Sequence, residues 1–413
     1  MPRFSPAPFV PGSGFTPWLI VLLGLVTAIG PVATDMYLPA FPEVEHDLGG
    51  GKGSAQFTLA AWFLGLALGQ FSQGPLSDRF GRRVPLMLGL LIFAIASAGC
   101  AVVQDYHLFC VCRFVAAVGG SASAVIPRAI VRDVATGKKG AKLMSQLTLV
   151  FGVMPVLAPS FGSLVLQFGN WRWIFWIGTL YALAAIVGLF CCLPDTLRPE
   201  RRVALSPVKI LTRYITISQE PLFLSNALIA TFSTFVMFAY LGSAPVLFEQ
   251  VLHFTPGQFG AFFGVNAAAF ILGTQINGRL VHRVAMPVLL ETGLFWALGA
   301  GALFTVLALT GIAGEHHAIL TCALIASITG ALGFIGPNAT VMSFYHHGQH
   351  AGSASALLGT MQFGIGSLSS VLVGLLPGGS AIPTAIGMMV GILGMAGADL
   401  MRRHAPEIGA DED

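Results

Sequence analysis

The sequence contains very little charge. Only 9% of its 413 residues are Asp, Glu, Lys or Arg, whereas soluble domains average about 25%. So few charged side chains cannot cover the surface of a water-soluble protein of this length, and 55% of the residues are hydrophobic. The net charge of +3 is too small to indicate a nucleic-acid partner. The composition therefore predicts a protein embedded in a lipid bilayer.

Several chemical motifs are absent as well. The six cysteines lie in apolar runs without the spacing of a zinc site or a redox motif. The sequence has no Gly-x-x-x-x-Gly-Lys-Ser/Thr loop, which argues against an ATP-driven pump. It has no set of Ser, His and Asp at one membrane depth, which argues against a membrane-embedded enzyme. His346, His347 and His350 form a cluster that we interpret as a solvated loop rather than a metal site. We predict no metal and no organic cofactor.

Long apolar runs dominate what is present. A helix needs about 20 residues to cross the hydrocarbon core of a bilayer. Twelve runs meet this length: 17–40, 55–74, 84–103, 107–130, 143–168, 173–193, 222–249, 257–278, 286–309, 317–341, 349–376 and 381–400. The polar stretch 194–221 divides them six and six, and its apolar residues predict a short helix on the inner surface. We therefore predict an all-α membrane protein with two six-helix bundles, residues 1–193 and 222–413, joined by a cytoplasmic linker.

The basic residues set the orientation. If both termini lie on the same side, all Lys and Arg residues fall in segments on that side except Lys52, Arg113, Arg128 and Arg172. Cytoplasmic segments carry such an excess, so we predict that both termini are cytoplasmic. The first run is too long for a signal peptide, and we interpret it as a retained span. Residues 78–83 and 278–283 form a weak internal repeat, which favours two duplicated halves.

Two charged residues lie deep in apolar runs: Asp35 in the first and Arg113 in the fourth. Charges at membrane depth are rare and usually mark an ion or substrate pathway. The two helices run in opposite directions, which places both residues in the outer half of the bilayer at similar depth. We expect them to interact, with Asp35 gaining and losing a proton; a purely structural ion pair is the alternative. We interpret Arg128 as a snorkelling anchor and Glu291 as either a second titratable site or an interface residue.

Four strings resemble signatures of one family. They are residues 34–42 (TDMYLPAFP), residues 74–83 (GPLSDRFGRR), Arg113-Phe114, and the set Pro155, Pro159 and Gly162 in the fifth run. Together they resemble the major facilitator superfamily, and more narrowly its Bcr/CflA branch of drug:proton antiporters (bicyclomycin and chloramphenicol resistance). In the fifth run, Gly162-Ser163 stands where the family usually has paired glycines. The resemblance implies the major facilitator fold and export driven by a proton gradient.

The predicted site has three further parts. The loop after the second span is expected to act as a conformational latch, rather than as a generic basic loop, through Gly74, Asp78, Arg79, Gly81, Arg82 and Arg83. The fifth helix is expected to bend at Pro155 and Pro159 during transport, a simple kink being the alternative. Side chains at middle depth are candidates for the substrate cavity, the alternative for each being a lipid-facing or helix-packing role: Tyr37, Asn226, Phe232, Phe235, Phe238, Tyr240, Asn266, Gln275 and Phe363.

The predicted function is proton-coupled export of small drugs across a bacterial cytoplasmic membrane by alternating access. The aromatic candidates suit a hydrophobic, cationic or zwitterionic substrate. The proton is the coupling ion, the lipid bilayer is the surrounding partner, and we expect a monomer. The alternative function is export or symport of a natural metabolite such as an amino acid or a sugar. A membrane-embedded enzyme is the third and weakest interpretation.

Overall fold

The structure is a computed structural model that describes residues 17–134, 137–197, 202, 206–345 and 351–404. These residues are helical almost throughout, and they contain no β-strand. Helices suit a chain of this composition because they satisfy every backbone hydrogen bond within one segment, which the bilayer interior requires. The chain divides into two compact units, Met1–Ser206 with Phe254–Gly264 and Pro207–His253 with Val265–Asp413. The predicted boundaries at 194 and 222 stay predictions.

The first unit is built from eight helices among the described residues. They are α1 (Pro17–Asp35), α2 (Phe41–Asp47), α3 (Ser54–Phe80), α4 (Arg83–Val102), α5 (Tyr106–Gly120), α6 (Ala122–Val134), α7 (Gly137–Phe168) and α8 (Arg172–Cys192). A short 3₁₀ turn, Leu38–Ala40, joins α1 to α2. The pairs α1 with α2 and α5 with α6 each continue one predicted span, so this unit contains six spans.

The second unit contains most of the remaining helical structure. Its helices are α9 (Pro207–Ser218), α10 (Pro221–Pro245), α11 (Pro256–Leu280), α12 (Met286–Leu309), α13 (Ala318–Ser343), α14 (Ala351–Leu375) and α15 (Ile382–His404). Helix α10 continues into a π-helical segment, Val246–Val251. The amphipathic helix α9 is shorter than a span, which leaves six spanning helices, with the beginning of α11 grouped with the first unit.

Ten described helical segments are long and apolar enough to cross a membrane. The other two predicted spans correspond to α3 and α7. Helix α3 has 27 residues, about 40 Å at 1.5 Å per residue, but Gln56, Gln70, Gln73 and its charged C-terminal end lower its hydropathy. Helix α7 is described in part, and Leu157–Phe168 is its apolar section. The chain is thus a multi-pass membrane protein.

Two predicted spans are interrupted, which hydropathy did not indicate. The first breaks after Asp35, where the backbone passes through the 3₁₀ turn before α2 begins. The fourth breaks at Ser121, whose hydroxyl donates to the carbonyl of Val118 at 2.7 Å. Apolar residues continue through both breaks, so a hydropathy scan cannot detect them. The first break follows directly after Asp35.

Glycines allow close helix crossings in both units. A Cβ atom at Gly65 of α3 would overlap the carbonyl of Phe114 on α5. In the second unit, a Cβ at Gly273 of α11 would overlap the carbonyl of Gly330 on α13. Small residues permit such contacts between membrane helices, where van der Waals packing drives association. The crossing of α3 with α5 positions the buried arginine described below.

Candidate functional site

Asp35 occupies the last position of α1 and is almost completely buried, with 4% of its surface exposed. No hydrogen bond or ion pair of its carboxylate occurs among the described residues. An isolated carboxylate is expensive to keep ionised in a medium of low polarity. Among the described residues, nothing compensates the charge that this acid carries when it is ionised.

Arg113 on α5 is also buried, with 1% exposed, and lies among aromatic rings. Its guanidinium carbon is 4.6 Å from the centre of the Tyr37 ring, 4.5 Å from Trp62 and 5.6 Å from Phe175. Each such contact contributes from about 0.5 to about 2 kcal/mol, with the larger values for desolvated sites. We call Tyr37, Trp62 and Phe175 the aromatic cage of Arg113. The cage supplies much of the stabilisation that a carboxylate would otherwise give.

The hydrogen bonds of Arg113 are few. Its Nη1 donates to the backbone carbonyl of Ala33 on α1 at 3.2 Å, whereas Nε and Nη2 are buried without a partner among the described residues. A cavity of about 20 Å³ lies beside the guanidinium and is lined in part by Ser97 and Cys100. This volume is large enough for one water molecule.

The predicted contact between Asp35 and Arg113 does not form in this structure. Arg113 and Asp35 are expected to lie at a similar depth in the membrane. The hydrogen bond from Arg113 to Ala33, two residues before Asp35, agrees with that expectation. The direction of the side chain is what differs. The face of α1 that lines the Arg113 cavity carries Ile29, Val32, Ala33 and Met36. Asp35 points about 110° away from the centre of that face, since each helical residue advances by 100°.

Tyr37 lies inside the first unit, and its assignment to the substrate cavity stays a prediction. It is fully buried, and its hydroxyl lies 2.8 Å from Thr58 Oγ1. The Thr58 hydroxyl donates to the carbonyl of Ala55 at 2.7 Å, so the Tyr37 hydroxyl is the donor of the bond to Thr58. This bond fixes the ring under Arg113. The role that the structure supports for Tyr37 is therefore to hold Arg113.

Helix α7 packs against the break that follows Asp35. A Cβ atom at Gly162 would overlap the backbone carbonyl of Met36, so the glycine is required for this approach. Pro159 is buried one turn earlier, and α7 runs through Pro155 and Pro159 as one helix. The Pro155 side chain lies outside the described residues. The glycine of the fifth-helix motif thus contacts the segment that carries the buried acid.

The loop between α3 and α4 contains a charged cluster centred on Arg82. This guanidinium contacts Asp78 at 2.5 Å and Ser77 at 2.8 Å on α3, and Asp133 on α6 at 2.8 Å. Its backbone N–H donates to Asp195, after α8, at 2.9 Å. Burial alone would lower the pKa of Arg82, but the hydrogen bonds and charges of Asp133 and Asp78 raise it above its ordinary value. The residue is therefore a permanent cation that joins three segments.

The other residues of the predicted latch differ in role. Gly81 has φ of +87° and forms the turn, and a Cβ there would overlap the Asp195 carboxylate. Gly74, predicted to help the chain reverse, instead lies inside α3 with open space around its Cα. Arg83 donates to the carbonyl of Phe190 at 2.6 Å. Arg79 lies over the neighbouring Phe80 ring, and among the described residues no hydrogen bond or ion pair joins it to the cluster around Arg82.

The remaining substrate candidates lie in the second unit. Phe238 and Phe363 are brought together, with ring centres 5.7 Å apart. Phe232 and Phe235 pack against Gly394 and Gly391 of α15. These contacts agree with a helix-packing role, the alternative to a place in the substrate cavity. The others are placed as follows: Asn226 bonds to the Leu222 carbonyl at 2.9 Å, Tyr240 and Asn266 are buried, and Gln275 is exposed.

Three other predictions can be located. Glu291 accepts bonds from Arg402 at 2.7 Å and from Arg403 at 3.2 Å, so it belongs to a charged cluster at the ends of α12 and α15. Arg128 lies in α6, and its interpretation as an anchor stays a prediction. His346, His347 and His350 lie outside the described residues.

Sequence reasoning missed two sets of residues. Trp62, Phe175 and Thr58 build and orient the aromatic cage, but they lie on two other helices and resemble ordinary apolar positions. Asp133 and Asp195 complete the cluster around Arg82. A signal existed for both acids, because each stands at the polar end of an apolar run, next to Arg132 and Pro194 respectively.

An all-helical fold with buried charges in its spans is the architecture of a polytopic membrane transporter. The chain belongs to the Major Facilitator Superfamily, whose family model matches residues 23–371. It is therefore a transporter, and its family is not one of enzymes. The predicted fold and family are confirmed.

Curated relatives match most of the chain. It is 33% identical over 86% of its length to the "Uncharacterized MFS-type transporter YdgK" of Bacillus subtilis, of which 88% is covered. It is 29% identical over 88% of its length to the "Bicyclomycin resistance protein homolog" of Haemophilus influenzae, of which 90% is covered. It is 28% identical to the "Multidrug resistance protein MdtL" of Shewanella oneidensis, with 87% of this chain and 89% of that protein covered. The resemblance to the bicyclomycin-resistance branch is thus confirmed.

Solved structures show the same fold at low identity. The crystal structure of a D-xylose–proton symporter superposes with a TM-score of 0.75 at 16% identity and covers 94% of this chain and 98% of that one. The human organic anion transporter MFSD10 superposes with a TM-score of 0.59 at 18% identity, covering 94% and 100% of the two chains. At these identities the likeness concerns the fold alone.

Proposed function

We propose that this protein is a proton-coupled antiporter that exports small drugs or other toxic compounds across the bacterial cytoplasmic membrane. Both termini lie in the cytoplasm, the chain acts as a monomer, and its substrates are hydrophobic, cationic or zwitterionic. The names of the bicyclomycin-resistance and multidrug-resistance relatives support drug export. The concentration of basic residues in alternate loops supports the orientation.

One observation carries the proposal: Asp35 is a buried acid with no partner among the described residues, at a break in a membrane-spanning segment. Such a group is cheaper to bury when it carries a proton and becomes costly when it loses one. A change of conformation that admits water or a cationic substrate reverses this preference. Binding of substrate and binding of the proton therefore exclude each other at Asp35, which is the requirement for antiport.

Arg113 modulates this exchange without titrating, because a guanidinium stays protonated in proteins. In the present conformation it is held by the aromatic cage and by the carbonyl of Ala33. Its distance from Asp35 lets the acid remain neutral. A rotation of the end of α1 would bring the two groups together and favour the carboxylate. The break after Asp35 supplies a place for that rotation.

The cluster around Arg82 acts as a latch in the proposed cycle. Arg82 joins the ends of α3 and α6 to the segment after α8. Because these contacts lie at the ends of helices, they can break and re-form while the spans move as rigid elements. The latch stabilises one conformation and takes no part in substrate binding.

Everted membrane vesicles that contain the full chain test the coupling. A transmembrane proton gradient is established, and cationic, zwitterionic and neutral drugs are added while internal pH is followed with a fluorescent dye. We expect at least one compound to release protons from wild-type vesicles and none to do so with Asp35→Asn. Asp105→Asn is the matched control, because Asp105 is exposed and caps α5 through the Leu108 N–H at 2.8 Å, a role that Asn fulfils equally well.

The outcomes separate the candidate functions. Undiminished proton release with Asp35→Asn would refute the role of Asp35. Uptake of an amino acid or sugar together with protons would instead support the symport of a metabolite. Drug transport that needs ATP and no gradient would refute secondary transport.

A further inference from the structure

Helix α9 has three different faces. It packs against α10 and α14 through Tyr214 and Ile217, which are 4% and 3% exposed. Three apolar side chains lie elsewhere on the helix and are open: Val208, Leu211 and Ile215, with 72%, 53% and 48% exposed. We call these three residues the apolar row. About half or more of the surface of each of these side chains is open.

The third face of α9 is polar. Thr212 and Thr216 are exposed and direct their hydroxyls to carbonyls of their own helix, at 2.9 and 3.0 Å. With 100° per residue, the centre of the apolar row lies about 120° from that of the buried face and about 90° from that of the two threonines. Lys209 and Arg213 lie at the edge of the polar face. A helix surrounded by water alone would have no reason to separate apolar from polar residues on its open side.

The position of α9 supplies the apolar surroundings. Only Gln219 and Glu220 separate the end of α9 at Ser218 from the start of the membrane-spanning helix α10 at Pro221. Three residue steps extend over about 11 Å at most, so the C-terminal end of α9 is tied to the depth at which α10 enters the bilayer. Ile215, in the last turn of α9, therefore lies close to the depth at which α10 enters the bilayer.

We propose that α9 is an interfacial helix whose apolar row inserts into the headgroup and acyl-chain boundary of the membrane. Its polar face lies in water, and its third face anchors it to the second unit. Amphipathic helices lie in the interface plane with their apolar side buried by about 5–10 Å. Lys209 and Arg213 lie on the side of the helix away from the apolar row, roughly 130° and 165° from its centre, so their charges stay in water. On the orientation proposed above, the surface is the inner leaflet.

Photo-crosslinking in the full chain tests this placement. The photoreactive residue p-benzoyl-phenylalanine replaces Leu211 or Ile215 in one pair of variants and Thr212 or Thr216 in a matched pair. Each variant is reconstituted in phospholipid vesicles and irradiated, and the intact protein is weighed by mass spectrometry. We expect phospholipid adducts at Leu211 and Ile215 with a yield several-fold higher than at Thr212 and Thr216.

Other results would overturn the proposal. Equal lipid yields at all four positions would show that the apolar row has no preference for the membrane. Crosslinked dimers at Leu211 or Ile215 would show that a second copy covers the row. Size-exclusion profiles identify variants that fail to fold. If one variant of a pair fails, the other variant of the same pair still reports on that side of the helix. The measurement does not depend on transport, so its failure is distinct from failure of the proposed antiport.

Discussion

Gly162 of α7 lies directly against the backbone carbonyl of Met36, the first residue after α1. The two helices approach here at the point where the first span breaks. Since Asp35 precedes Met36, any movement of α7 is transmitted to the backbone that carries the buried acid. The fifth-helix motif and the first-helix signature therefore form one mechanical element, although more than a hundred residues separate them in the sequence.

Replacement of Gly162 by Ala tests this element. The added methyl group would overlap the Met36 carbonyl, and overpacking of this kind costs about 1–3 kcal/mol. We expect a lower apparent unfolding temperature in detergent and a loss of transport. The matched control is Gly30→Ala in α1, where nothing lies within 4 Å of the new Cβ. Equal behaviour of the two variants would contradict the close approach of α7.

The turn at Gly81 offers a second test. Its backbone conformation, with φ of +87° and ψ of 173°, is one that other residues adopt at a cost of about 1–3 kcal/mol. A methyl group would also overlap the carboxylate of Asp195. We expect Gly81→Ala to lower the unfolding temperature and Gly278→Ala, in open space on α11, to leave it unchanged.

A double variant separates the two causes at Gly81. In an Asp195→Ala background the overlap disappears and the backbone strain remains. Gly81→Ala should then destabilise the protein less than it does in the wild type. Equal losses in both backgrounds would show that the Asp195 contact does not restrict this position.

Tyr37 is predicted to act through its ring more than through its hydroxyl. Tyr37→Phe removes the bond to Thr58 and keeps the cage, so we expect a loss of about 0.5–1.5 kcal/mol. Tyr37→Leu also removes the contact with the guanidinium of Arg113, worth up to about 2 kcal/mol in a desolvated site. Unfolding temperature and drug transport should therefore fall further for Leu than for Phe. A larger effect of Phe would assign the role to the hydroxyl.

The cluster at the ends of α12 and α15 is predicted to depend on Asp399 more than on Glu291. The Asp399 side chain is 3% exposed and accepts bonds from both Arg402 and Arg403, whereas Glu291 is 30% exposed. Removing one partner of a buried ion pair costs about 3–5 kcal/mol, and exposed pairs contribute about 0–1 kcal/mol. Thermal unfolding should show a much larger loss for Asp399→Ala than for Glu291→Ala. Similar losses would mean that both acids share the same environment.

Much of the fold could be predicted because hydropathy is a property of short stretches of chain. The spans were located to within a few residues, as the agreement of 286–309 with α12 illustrates. The depth of Arg113 relative to α1 also followed from run lengths and alternating directions. The loop residues around Arg82 were recognisable because turn glycines and charges form a contiguous string.

The site itself depends on how each helix is rotated about its axis and where it breaks. Local hydropathy predicts neither. Mean hydropathy stays high through the breaks at Asp35 and Ser121, so a scan for apolar runs does not locate them. A rotation of about a third of a turn separates Asp35 from the face that meets Arg113. That rotation follows from close packing at positions such as Gly162 and Gly65, where distant segments touch. Run length thus established which residues cross the membrane, and helix packing determined that aromatic rings, rather than the acid, surround the arginine.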